Sequence, residues 1–225
     1  MGNFCENCNN KCTFVKMLTQ DEISCHLGKL ITIKYKKKET LLKQNSHCSH
    51  IIHVNKGLVK VFTERRNEKN IIFDITHSDG FIGLLDLNSD NYSYSAVALK
   101  ESDVCLIPKE EFIDLIQQNK SLAKFLFGIQ SNQHTYLINK LTSLGTKQMH
   151  GRLADVILYL CDKKYSNEDL FNHITRKELS EMTGMSPESA IRLLTEFKND
   201  GLINMNGKKI EINNIELLTR LSDIG

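Results

Sequence analysis

Hydrophobic and polar positions along the 225-residue chain follow three successive patterns. From about Ile31 to Ile107 the apolar residues come in short runs: ITIKYK, HIIHVNKG, LVKVFTE, NIIFDITHSDG, YSAVALK and DVCLIPK. These are rich in Ile, Val, Tyr and Phe with partial alternation, which predicts an antiparallel β sandwich or barrel. Gly57, Gly80 and Gly83 fall between the runs, where a turn or a close strand approach favours glycine. After Pro108 the period becomes helical. Lys109 to Ile116 is a short amphipathic stretch and Asn119 to Leu144 a long one. In the latter, Leu122, Leu126 and Ile129 are spaced by four and three, and Leu137, Leu141 and Leu144 repeat the spacing. So narrow a stripe predicts a coiled contact with a second copy of the chain, the competing reading being a helix packed on its own sheet. A Gly145-Thr146 break precedes a further helix, Met149 to Asp162, with Leu153, Val156, Ile157 and Leu160 on one side.

The third pattern, His173 to Ile212, carries the sharpest local signals. Thr175 with Glu178 three residues on forms a capping box, and Gly184 suits a left-handed helix end. Ser186 then caps a second helix with Pro187 at its first position, where the missing N–H is harmless. Two helices joined through so short a turn predict a helix-turn-helix, and LINM and KIEI about Asn206-Gly207 predict a β wing behind it. On the second helix Ala190, Leu193, Leu194 and Phe197 form the core side. Glu188 and Arg192, four apart, share the opposite face near the helix start, where side chains reach base edges. Arginine grips guanine O6 and N7, and a carboxylate accepts from the cytosine amino group. The plainer reading is a surface ion pair.

Charge changes this picture in one respect. Lys+Arg 29 against Asp+Glu 27 is nearly balanced, and from Thr146 onward 11 basic residues face 12 acidic ones. Phosphate contacts must therefore be local, with Arg176, Lys177, Ser189, Lys208 and Lys209 as candidates. The first residues, MGNFCENCNNKCTFVK, hold no apolar run of signal-peptide length, and nowhere are there eighteen consecutive apolar residues. Glu6 stands where a myristoylation pattern wants Ser or Thr. The expectation is a cytoplasmic protein away from membranes, in which three of seven cysteines within the first twelve residues point to metal or redox chemistry rather than disulfides.

Taken together, the β runs with paired glycines, the long helix and ITRKELSEMTGMSPESAIRLL resemble the Crp–Fnr family of bacterial transcription regulators over essentially the whole chain. The resemblance implies an α+β chain: a cyclic-nucleotide-binding-like β roll, a long dimerisation helix and a winged helix-turn-helix. On that reading 1–15 is a cysteine-rich segment, 16–118 the roll, 119–145 the dimer helix and 146–225 the DNA-binding domain. It implies a homodimer on a palindromic operator with a TTGA-like half-site, working with RNA polymerase. The family's base-reading pair falls on Glu188 and Arg192, with Ser186 beside them and Ile191 at a position often small in relatives.

Cyclic-nucleotide members hold ribose and phosphate with a Gly-Glu and an Arg-Ser pair. Here Leu84 follows Gly83, the second position falls near Tyr92-Ser93, and no basic residue lies between Gly83 and Ala98. A cyclic phosphate would stay unpaired, so cyclic-nucleotide binding is not expected. The oxygen-sensing Fnr branch instead carries an N-terminal cysteine cluster plus one late cysteine. CENCNNKC supplies Cys5, Cys8 and Cys12, and SDVCLIPKEEF matches the context of the fourth ligand at Cys105. The spacing departs from that branch, with three residues between the second and third cysteines. Four thiolates suit a [4Fe-4S] cluster or a tetrahedral zinc. Haem, a small-molecule effector, or no cofactor are the alternatives, and an iron-sulfur enzyme is the remote one: the C-x3-C-x2-C order of radical enzymes is reversed. Cys25 and Cys161 read as core residues, and the run His47 to His53 as strand residues facing solvent, with metal or haem ligation there as the alternative.

Overall fold

The computed structural model describes residues 12–26, 30–65, 70–162 and 170–225. In chain order the elements are α1 (Thr13–Lys16), α2 (Gln20–His26), β1 (Ile31–Tyr35), β2 (Thr40–Leu42), β3 (His50–Lys56), β4 (Leu58–Thr63), β5 (Ile71–His77), β6 (Gly80–Ile82), β7 (Ser95–Ala98), β8 (Ser102–Pro108) and α3 (Lys109–Gln118). There follow α4 (Lys120–Thr146), α5 (Met149–Leu160), α6 (Leu170–His173), α7 (Arg176–Thr183), α8 (Pro187–Asn199), β9 (Ile203–Asn206), β10 (Lys209–Ile212) and α9 (Ile215–Ile224). Two compact units result, one of Met1–Glu64 with Asp74–Thr135, the other of Arg65–Phe73 with Tyr136–Gly225.

The first unit contains two four-stranded sheets, ordered β1-β8-β3-β6 and β2-β7-β4-β5. The tight β3–β4 turn needs Gly57: its φ is +127°, and a Cβ there would fall 2.1 Å from Ser102 Oγ. In the first sheet the register aligns Thr32 with Cys105, Cys105 with His53, and His53 with Phe81. Paired residues share a face, so these four side chains form one row across β1, β8, β3 and β6. Against that sheet packs a core of Phe14 and Val15 from α1, Ile51, Phe81, Ile107, Phe112 and Leu115 from α3, and Leu122 and Leu126 from α4. A fully buried side chain of this size stabilises by about 1.5–3 kcal/mol.

Part of the expected dimer stripe is engaged within the chain itself. Leu122 and Leu126 are buried within their own chain and Ile129 is partly so, while Leu144 lies beside Gly184 in the second unit. Leu137 is half-buried. The exposed apolar residues of α4 are Phe127 (78%), Ile138 (63%) and Leu141 (70%). With Ser131 and His134, both exposed, they make a second stripe of four–three spacing on another side of the helix. Of the six expected seam residues, only Leu141 belongs to it.

In the second unit α7 opens with the Thr175–Glu178 capping box and closes at Gly184, whose φ of 65° is left-handed. Ser186 accepts from the Ser189 N–H at the start of α8, with Pro187 in the first turn. Ala190, Leu193, Leu194 and Phe197 are buried, as their spacing predicts. The wing strands pair Asn206 with Lys209, so the two-residue turn is Gly207-Lys208, one position later than expected.

Candidate DNA-reading surface and thiolate site

On α8 the faces separate cleanly. Glu188, Ile191 and Arg192 are exposed, Ile191 at 49%. Among the described residues neither Glu188 nor Arg192 enters an ion pair, with each other or elsewhere. The Glu188 carboxyl is held below the usual glutamate range by its own backbone N–H and by the Ser186 hydroxyl. It stays an acceptor at neutral pH. Ser186 and Lys177 are exposed and Ser189 is half-buried. Lys208 is exposed in the wing turn, and Lys209 pairs with Glu211 at 2.7 Å. Arg176 is half-buried and donates to the Gly207 carbonyl at 3.3 Å. It thus braces the wing turn, a role that the phosphate-contact expectation did not include.

In the first unit Cys105 is buried on β8 and Cys12 is half-buried just before α1. Cys5 and Cys8 lie outside the described residues. Cys12 is set by its neighbours: Phe14 packs against Phe81, Phe112 and His53 with ring centroids 5.5–6.1 Å apart. The Thr13 hydroxyl donates to Asp79 Oδ2 at 2.8 Å, and its backbone N–H meets the same carboxylate at 3.2 Å.

Around Cys105 the polar groups interlock. The Asn55 side-chain amide donates to Cys105 Sγ at 2.9 Å. Its oxygen then faces His53 Nδ1 at 2.8 Å, and because that oxygen only accepts, Nδ1 carries a proton. The other ring nitrogen, Nε2, is buried without a hydrogen-bond partner and lies 3.3 Å from Asp79 Oδ1, poorly aligned for a hydrogen bond. Burial lowers the His53 pKa, but Asp79, Cys105 and Asn55 outweigh it and hold the ring up at about 9. The same contact with His53, against the opposing effect of burial and with help from Thr13, brings Asp79 down to about 2. Burial raises the Cys105 thiol, yet His53, Asn55 and Thr32 win and the net shift is downward, towards the thiolate. Cys12 is raised, first by burial and further by the charges of Asp79 and Cys105, against the backbone N–H groups of Val15 and of Cys12 itself.

The ligand atoms of Cys12, His53 and Asp79 all lie within 4.8 Å of one another. The donor set therefore fits a metal centre in its described part: a thiol, a carboxylate, and a buried imidazole nitrogen with no hydrogen-bond partner, on a ring oriented through its other nitrogen; Cys105 stands outside this group as the strand neighbour of His53. His53, expected to face solvent, is only 1% exposed. Neither Asp79 nor Asn55 stood out in the sequence. Cys25 and Cys161 are exposed, against the core role read from their apolar surroundings, because each sits at the solvent side of a helix or its end. His47 is exposed and His50 half-buried.

Where a cyclic nucleotide's phosphate would be sought, Gly83 has a left-handed φ of 102° and its N–H donates to the Tyr94 hydroxyl at 2.7 Å. Leu84 is buried in the core. Asp86, only 3% exposed, accepts from the Ser93 N–H at 3.0 Å. Among the described residues no helix is long and apolar enough to cross a membrane.

Comparison with known proteins places these geometries. Residues 32–119 match the cyclic nucleotide-binding domain, and residues 151–221 match the Crp-like helix-turn-helix domain. The transcriptional activator protein anr of Pseudomonas aeruginosa is 26% identical over 187 residues, covering 81% of this chain and 77% of its own. The cAMP-activated global transcriptional regulator CRP of Salmonella typhimurium is 28% identical over 193 residues, covering 84% and 90%. The solved structure of FixK2 from Bradyrhizobium japonicum shares the fold with a TM-score of 0.77 at 17% identity, covering 85% of this chain and 96% of that one. A nucleotide-type roll and a Crp-like reading head in one chain, among relatives that are regulators and not enzymes, make this protein a member of the Crp/Fnr family of DNA-binding transcription regulators.

Proposed function

We propose that the protein is a dimeric regulator whose operator binding is set by the redox or gas state of a thiolate-held [4Fe-4S] cluster. The observation that supports this reading is that Cys12 brings its sulfur within 4.8 Å of a His53 ring nitrogen, and His53 is the strand neighbour of Cys105 in the same row. Cys5 and Cys8 would complete the ligand set. A bound cluster would supply an oxidisable centre open to oxygen or nitric oxide. The chain's own part is mechanical. Ligation would fasten the Cys12 segment to β8, and that segment carries Phe14 and Val15 into the same core as Leu122 and Leu126 of α4. Loss of the tie loosens α1, and with it the packing that holds α4. Such a signal shifts the DNA-ready population only by its differential affinity for the two states.

The second copy of the chain would dock on the exposed stripe Phe127, Ile138 and Leu141. Two copies would then present Glu188 and Arg192 to half-sites about 10–10.5 bp apart, Arg192 on guanine and Glu188 on its paired cytosine, with Lys177, Ser189 and Lys208 on phosphates and RNA polymerase as the partner in transcription. A cytoplasmic setting follows from that role. The cAMP response in CRP's name is not carried over: the roll offers a buried Leu84 and Asp86 and no cation between Gly83 and Ala98 for a phosphate.

One observation favours a second reading. The cluster of Cys12, His53 and Asp79 has the mixed thiolate, imidazole and carboxylate character of a mononuclear zinc site. Metal and sulfide content of protein purified without air separates the two. The first reading expects about four iron and four sulfide per chain with a visible cluster spectrum. About one zinc without sulfide supports the second, and neither metal rejects both.

A further inference from the structure

The second unit contains a cavity of about 380 Å³ between the C-terminal half of α4, α5, α7 and α9. This falls within the range of small-molecule sites, ~300–1,000 Å³. Three cations line it, Lys140, Lys147 and Arg152, against one carboxylate, Asp155. Asp155 is already occupied: Lys147 donates to it at 2.9 Å, and the hydroxyls of Ser143 and Ser222 donate as well. Lys140 is left over. Its side chain is buried, and its ammonium has no hydrogen-bond partner, as is also true of Arg152 Nε.

Native proteins rarely leave buried donors unpaired, and an uncompensated buried cation is among the costliest groups a fold can hold. Two such donors on one cavity wall describe a place where an acceptor is missing. The neighbouring wall is aromatic: Tyr136 and Tyr159 stack with centroids 4.8 Å apart and planes 27° from parallel. We propose that this cavity binds a small organic anion, a carboxylate or phosphate monoester on a flat apolar body, with Lys140 and Arg152 holding the anionic group and the tyrosine pair the body. Bidentate pairing with a guanidinium and a charge-assisted bond from the ammonium suit either head group. Met182 and Thr183, at the end of α7, also line the cavity, so the ligand would touch the first helix of the helix-turn-helix. The site is independent of the thiolate site and of the cluster reading.

Calorimetric titration of the full-length protein at constant ionic strength tests this, with benzoate, phenyl phosphate, inorganic phosphate and benzyl alcohol as probes. Benzoate or phenyl phosphate should bind at one site per chain, whichever binds tighter naming the head group, and benzyl alcohol should not. Lys140→Met should weaken that binding at least about tenfold. Arg152→Gln should do likewise, and provides the test if the first variant does not fold. Absence of binding by both organic anions up to about 10 mM would overturn the proposal. Binding of benzyl alcohol as tight as that of benzoate, binding of inorganic phosphate alone, or affinity unchanged in both variants would do so too.

Discussion

Around Cys105 the side chains answer one another. Asn55 donates to the sulfur, His53 is fixed by Asn55, and Asp79 is shared between His53 and Thr13. On α8 the reverse holds: Glu188, Ile191 and Arg192 stand exposed over a sealed core of Ala190, Leu193, Leu194 and Phe197. Interlocked buried groups perturb one another's protonation states, as the shifts at His53, Asp79 and Cys105 show. On α8 the polar side chains instead stand exposed on a rigid, well-capped helix. The two faces of α4 repeat the contrast, one side sunk in the roll and the other unpartnered.

That division of α4 can be broken most forcefully at its exposed stripe. Ile138→Glu with Leu141→Glu should weaken self-association by about 3–6 kcal/mol, roughly a hundredfold or more in dimer Kd, measured by sedimentation. Thermal stability of the monomer should be little changed. Leu122→Ala should show the opposite pattern, a loss of about 2–5 kcal/mol in folding stability with self-association retained. If the two outcomes are exchanged, the assignment of faces is wrong.

Lys140 offers a smaller effect with a defined pH sign. Burial, only partly opposed by Asp155, lowers its pKa from 10.5 to about 8. Between those values the unfolded chain holds a proton that the folded chain does not, so stability rises with pH across the window. Lys140→Met, which removes an unpaired buried cation, should stabilise by about 1–4 kcal/mol at pH 7. The advantage should shrink as pH climbs through about 8 towards 10.5, as followed by denaturant unfolding. Asp155, Lys147 and Arg152 line the same cavity and are unchanged in the comparison. On the reading surface, Glu188→Ala should relax discrimination at one base pair by roughly tenfold, with total affinity falling less, read from competition with mutated operators. Unaltered discrimination would falsify the Glu188 assignment.

The reading head was legible because its signals are local. The Thr175–Glu178 box, Gly184, and Ser186 with Pro187 each lie within four residues of the structure they specify, and all appear as read. The thiolate site was half legible. Cys12 and Cys105 carry a chemical identity, whereas His53 sits in a strand buried on both faces along most of its length, so alternation could not tell which histidine turns inward. Asp79 arrives from a turn with φ of 68°, and only tertiary packing brings it to Cys12. Periodicity leaves the contact face of α4 open, because the helix carries two stripes of the same spacing and periodicity does not say which of them the roll takes.

If the thiolate site governs DNA binding, operator affinity must follow its redox state. Anaerobically reconstituted protein and the same preparation after exposure to air are compared on one palindromic operator at fixed salt. The anaerobic form should bind at least about tenfold tighter, a difference abolished in Cys105→Ala. Equal affinity of the two forms, with cluster loss on exposure verified by spectrum, would contradict it.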